Sequence, residues 1–103
     1  FCWIKMRKDW SPLLYQKPKL GLGYHTRSGM EQCWLGIRGK GYKRAAQGVE
    51  QVLHAPLREH SRKPEEIAER IVKLTGDVPR VELFARQTRT GWASWGNEVN
   101  ATI

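Results

Sequence analysis

The pattern of apolar and polar positions predicts short strands around one amphipathic helix. Residues 1–6, Phe1-Cys2-Trp3-Ile4-Lys5-Met6, are mostly apolar, with aromatic and β-branched side chains, and predict a strand. Residues 31–38, Glu31-Gln32-Cys33-Trp34-Leu35-Gly36-Ile37-Arg38, predict a second strand lying inside a sheet. Residues 39–44 form a basic turn, and residues 51–55 predict a third short strand, antiparallel to the second. Over residues 64–75, Ile67, Ile71 and Leu74 recur at helical spacing beside Ala68 and Val72, while Glu65, Glu66, Glu69, Arg70 and Lys73 take the opposite face. Pro64 suits the first helical position, Glu65 and Glu66 complement the helix dipole, and Gly76 marks the stop. Residues 81–86 then predict a strand. Helix, short turn and strand make half of a βαβ crossover, which argues for an α/β sheet.

Between the first two strands, residues 7–22 carry Pro12, Pro18, Gly21 and a set of basic residues, with no helical period. Prolines at that density stop helices and central strands, and so long an irregular stretch in a short domain is usually functional or mobile. The chain opens on Phe1, already in strand pattern, so the sequence is expected to be the C-terminal segment of a longer single domain.

Composition narrows the class. A chain of 103 residues allows one domain, and 40% hydrophobic with 27% charged residues is ordinary globular usage. No apolar run approaches the roughly 18 residues of a membrane span, and the first residues show no signal-peptide pattern, so the expected location is the cytoplasm. Cys2 and Cys33 are too few and too far apart for a disulfide scaffold or a zinc finger, and read as core thiols within strands. The net charge is +8, unevenly spread: residues 1–63 hold 13 Lys/Arg against 4 Asp/Glu, and residues 64–103 hold 5 against 6. A basic half beside a near-neutral one fits a face that meets nucleic acid, or else a charge that serves solubility alone.

Candidate chemistry lies at two places. Arg62 and Lys63 precede the helix, where cations are disfavoured by about 0.3–1 kcal/mol each, an arrangement that either binds an anion such as a carboxylate or phosphate or leaves both side chains in water. The second place is the end of the strand Glu82-Leu83-Phe84-Ala85-Arg86 and the following Gln87 to Glu98, since ligands of open α/β sheets bind beyond the carboxyl ends of strands. Trp92 and Trp95 fit either base stacking or lids on the core. Gly36, Gly39 and Gly41 around Lys40 do not make a Walker loop. His25, His54 and His60 lack metal-ligand spacing, so no metal is expected, and neighbouring His60 and Ser61 do not make a triad.

The ordered set Arg58-Glu59-His60-Ser61-Arg62-Lys63-Pro64-Glu65-Glu66, Glu82-Leu83-Phe84-Ala85-Arg86, Gly91-Trp92 and Trp95-Gly96-Asn97-Glu98 resembles the MT-A70 family. These are S-adenosylmethionine-dependent N(6)-adenine methyltransferases, among them the catalytic subunit of the eukaryotic messenger-RNA enzyme, and the motif has a bacterial or phage flavour. Trp3-Ile4-Lys5, Gly21-Leu22-Gly23-Tyr24 and residues 31–39 also fit the family, so the resemblance spans nearly the whole chain. It implies a Rossmann-like methyltransferase fold, of which this chain supplies about four strands of the sheet and one clear helix. By resemblance, Lys63 holds the methionine carboxylate of the cofactor, Ser61 and Arg58 line the same pocket, and Arg86, Asn97 and Glu98 surround its ribose. Glu31 and the loop with Tyr24 and Arg27 border the acceptor adenosine, while residues 7–19 contact the substrate backbone.

Three departures qualify these assignments. Ser28-Gly29-Met30 replaces an Asn-Gln-His-like run, and Thr88 stands where some relatives carry a ribose-binding His. The family's catalytic Asp-Pro-Pro-Trp does not occur in these residues, so the segment alone is expected to be inactive. Two readings follow: a segment of an adenine methyltransferase acting on DNA or RNA, or a basic nucleic-acid-binding module, including a decayed methyltransferase, without catalysis. Cofactor binding separates the two.

Overall fold

A computed structural model describes residues 1–7, 18–58 and 62–102. It is a mixed α/β arrangement of two sheets and one helix. The first sheet has β1 (Cys2–Met6) at its centre, flanked by β2 (Met30–Gln32) and β3 (Val52–Pro56). β1 and β2 run antiparallel, with Trp3 opposite Glu31, and β1 and β3 run parallel, with Trp3 opposite Leu53. Central β1 carries the buried side chains Trp3 and Met6, and β3 adds Leu53, each at most 4% exposed. Full burial of such a side chain is worth roughly 1.5–3 kcal/mol. The Trp3 indole N–H donates to the Ala55 carbonyl at 3.0 Å, which satisfies the polar atom that its burial would otherwise strand.

The second strand is much shorter than the expected residues 31–38. β1 begins at Cys2, so an antiparallel neighbour runs out of partners once Cys33 N–H has bonded the Phe1 carbonyl at 2.8 Å. Cys33 is accordingly exposed and outside a strand, not a core thiol. The third strand is where it was expected and runs antiparallel to β2, but the two do not pair, because β1 lies between them and pairs in parallel with β3.

α1 (Glu65–Thr75) follows β3. Pro64 caps it in extended geometry (φ −60°, ψ 141°), one position outside the helix. Gly76 ends it at φ 74°, and its N–H donates to the Val72 carbonyl at 2.8 Å. Arg70 ties the helix to the first sheet, donating from Nη1 to the Glu50 and Val52 carbonyls at 2.7 and 3.0 Å. Among the described residues no helix is long and apolar enough to cross a membrane.

The expectation of about four strands in one sheet is corrected at this point. β4 (Val81–Leu83) does not join the first sheet; it pairs in parallel with β5 (Ala93–Trp95), a strand absent from the sequence reading. β4 is also shorter than residues 81–86, because Phe84 adopts φ 59° and breaks the extended ladder. Ser94, wholly buried on β5, is pinned by Thr102, whose hydroxyl accepts from Ser94 N–H at 2.7 Å and whose N–H donates to the Ser94 carbonyl at 2.9 Å.

Candidate functional site

The turn out of β4 and the chain leaving β5 are brought together by a glycine. A Cβ on Gly96 would fall 2.5 Å from the Ala85 carbonyl oxygen and 2.7 Å from its nitrogen, so this approach admits no side chain. Ala85 N–H donates to the Trp95 carbonyl at 3.0 Å and fixes the crossing. Arg86 thereby faces the segment after Gly96, and its Nε lies 3.8 Å from Glu98 Oε2.

Between these segments and the start of α1 is an open cleft of about 460 Å³, lined by Lys63, Glu82, Phe84, Arg86, Asn97 and Glu98 together with Leu83 and Ala85. The Phe84 ring, 78% exposed, stands against Trp95 edge-on at 5.4 Å. Two cations, two carboxylates, an amide and an aromatic edge suit a polar ligand with separated charges and hydroxyls.

A smaller hollow of about 80 Å³ adjoins the cleft, shares Lys63, Glu82, Phe84 and Arg86 with it, and adds Arg62, Glu65, Gln87 and Arg89. Glu65 is the hub of this hollow. Its Oε1 accepts from Arg58 Nη1 and Gln87 Nε2, each at 2.9 Å, and its Oε2 accepts from Arg89 Nη1. Gln87 Oε1 accepts from Arg62 Nη2 at 2.9 Å, and Arg89 Nε donates to Glu82 Oε2 at 3.0 Å. Burial pushes the Glu65 carboxyl upward, but the hydrogen bonds and charges of Arg89 and Arg58 outweigh it and hold the group below its ordinary value. Burial likewise lowers the Arg89 guanidinium, and its bonds to Glu65 and Glu82 more than reverse this.

The structure thus gathers Lys63, Arg86, Asn97 and Glu98 in one cleft. Arg58 lies behind it, on Glu65, and Ser61 lies outside the described residues. Glu31 reaches the cleft's edge through Lys63, whose Nζ is 2.5 Å from Glu31 Oε1; Lys5 approaches the other oxygen at 3.6 Å. Tyr24 and Arg27 do not line the cleft. Tyr24 is 96% exposed, edge-on to His25, and Arg27 folds back onto the Gly21 and Leu20 carbonyls at 3.1 and 3.3 Å. At the helix start the chain supplies carboxylates of its own, Glu65 beside the arginines and Glu31 beside Lys63. Of the two tryptophans, Trp92 is half-buried beneath Arg80, whose guanidinium lies 5.8 Å from the ring, and Trp95 is 46% exposed. The roles of Glu65, Glu82, Gln87 and Arg89 were missed in the sequence; Glu65 and Glu82 stand within the family motifs, while Gln87 and Arg89 reach them only through folding. Among the described residues no group of three His, Cys, Asp or Glu side chains is placed to hold a metal ion.

Comparison with known proteins agrees with the motif pattern. The MT-A70 family model matches residues 1–98. The type II methyltransferase M.MunI of a Mycoplasma species is 38% identical over 78 residues, covering 75% of this chain and 34% of that protein. A putative N(6)-adenosine-methyltransferase MT-A70-like of Medicago truncatula is 33% identical over 81 residues, covering 76% and 13%. Its Arabidopsis thaliana counterpart, also 33% identical over 81 residues, is covered over 12% of its length. The chain therefore spans about a third, or much less, of the curated relatives it matches.

Proposed function

The chain belongs to the MT-A70 family, and from that premise we propose that it forms the C-terminal, cofactor-holding part of a Rossmann-like N(6)-adenine methyltransferase. In this reading the donor is S-adenosylmethionine, the acceptor is adenine in DNA or RNA, and the enzyme works in the cytoplasm. The observation that carries the reading is the convergence of Lys63, Arg86, Asn97 and Glu98 on one cleft.

The residues present fit that donor. Its volume falls within the range of small-molecule sites, roughly 300–1,000 Å³. Lys63 already meets a carboxylate in Glu31, which supports its fitness to hold the carboxylate of the methionine moiety. In this reading Arg58 and Ser61 are assigned with Lys63 to the methionine moiety, and Arg86, Asn97 and Glu98 to the ribose; Glu82, which also lines the cleft, adds an acceptor. When bound, S-adenosylmethionine supplies a methyl group activated by a sulfonium. The chain's own contribution is to bind and orient.

Adenine's exocyclic nitrogen is a poor nucleophile because its lone pair is delocalised into the ring. Transfer needs in-line positioning and fixed acceptors for the amine hydrogens. The family resemblance gives that task to Asp-Pro-Pro-Trp, which these 103 residues do not contain. The chain alone therefore holds the donor without transferring the methyl, and incorporation of labelled methyl into adenine by the chain alone would overturn that statement. Glu31, Tyr24 and Arg27 border the acceptor in this reading; most of residues 7–19, assigned to the substrate backbone, lies outside the described residues.

Titration calorimetry with S-adenosylmethionine tests the proposal. Lys63→Ala is expected to weaken binding about tenfold or more, the worth of one charge-assisted hydrogen bond. Unchanged affinity removes the assignment of Lys63. The second reading, a binding module without catalysis, draws on residues 33–49, which contain no acid and expose Trp34, Arg38, Lys40, Lys43 and Arg44. It calls for steeply salt-dependent binding to nucleic acid with no cofactor dependence.

A further inference from the structure

We propose that Glu65 is a specificity-determining positioning residue, which lowers the positive charge at the cleft and so shifts its selectivity toward a sulfonium-bearing nucleoside and away from the neutral thioether counterpart; the proposal rests on the reading of the cleft as the S-adenosylmethionine site. Among the described residues, five cations crowd this corner. Lys63 and Arg86 line the cleft, Arg62 and Arg89 line the hollow that opens beside it, and Arg58 stands behind. Glu31 faces Lys63 and Glu98 faces Arg86, while Glu82 is bonded to Arg89. Glu65 serves three guanidiniums: Arg58 at 2.9 Å, Arg89 by a short contact, and Arg62, at 4.0 Å directly and also through Gln87.

Without that carboxylate the corner would gain a unit of positive charge. Its amide neighbour, Gln87, would keep its place but could not replace the charge. The two forms of the ligand share carboxylate, ammonium, ribose and adenine. They differ by one methyl and by the sulfonium's positive charge. A more positive corner therefore opposes the sulfonium form and leaves the thioether form, of zero net charge, nearly unaffected. Glu65 acts on this preference without touching the ligand, through the guanidiniums that it neutralises and holds.

The test compares the affinity of the full chain and its Glu65→Gln variant for S-adenosylmethionine and S-adenosylhomocysteine. Glu65→Gln is expected to weaken the sulfonium ligand about three- to tenfold more than the thioether, as a unit charge at moderate range would. The difference should shrink as added salt shortens the screening length from about 30 to 10 Å. Arg62→Gln, with Glu65 intact, should move the ratio the opposite way, and it stands in if Glu65→Gln does not fold. Equal losses for the two ligands, or a ratio unmoved by either variant, overturns the proposal and leaves Glu65 a structural ion-pair partner. Binding of neither ligand by the unaltered chain overturns the reading beneath it.

Discussion

At the scale of single residues, the site depends on which carboxylate faces which cation. Glu65 occupies the first turn of α1, where its charge complements the helix dipole, and that much is readable from its position after Pro64. Its bonds to Arg58, Gln87 and Arg89 are not, because Arg89 and Gln87 lie 24 and 22 residues away. Because the group is held below its ordinary value of 4.5, the native state binds that proton less readily than the unfolded chain. The stabilisation is therefore complete above about pH 4.5 and is lost as the pH falls through the lowered native value. Thermal unfolding of the chain and of Glu65→Gln from neutral to acid pH should show their midpoints converging below that pH. A constant gap would place the stabilisation in some other interaction. Lys63, Arg86, Asn97 and Glu98 were legible at this scale because the family motif names them in order.

At the scale of elements, legibility followed the range of the interactions. α1 was readable because its period, acidic first turn and Gly76 are local. β1 was readable from its own composition, whereas the length of β2 was not, since it is set by where β1 provides partners. β5 was missed because three residues between Gly91 and Gly96 carry no strand period. Its partner β4 stops at Phe84, where φ turns positive. The crossing of Gly96 over Ala85 is the element-level device that brings Asn97 and Glu98 to Arg86. Gly96→Ala should cost about 1–3 kcal/mol of stability by overpacking. It should also weaken S-adenosylmethionine binding, because the segment must move off Ala85. Urea unfolding and titration of this variant check both effects, and wild-type values in each would show that the crossing relaxes without consequence.

For the whole molecule, the two sheets bury few side chains for a chain of this length: Trp3, Met6, Leu53 and Ala85 are the buried apolar residues among those described. Trp34, Leu35 and Ile37 are exposed, along with Leu22 and Tyr24. Large apolar side chains left in solvent on both sides of the short β2 in sequence are of the kind that associate with other surfaces. The cleft is built from Lys63, the end of β4 and the segment after β5, and it meets β2 through the Lys63–Glu31 pair. The basic excess of residues 1–63 and the near-neutral residues 64–103 divide the chain, with the nucleic-acid face expected in the first part and most of the cleft in the second. The central claim is that this cleft is where S-adenosylmethionine binds, and photo-crosslinking with the methyl-labelled compound followed by peptide mapping tests it most directly. The account predicts label within residues 81–98, suppressed by excess S-adenosylhomocysteine. Label that survives the competitor, or that falls instead on the pocket lined by Gly48, Val49, Glu50 and the α1 residues Glu66, Glu69, Arg70 and Lys73, would contradict it.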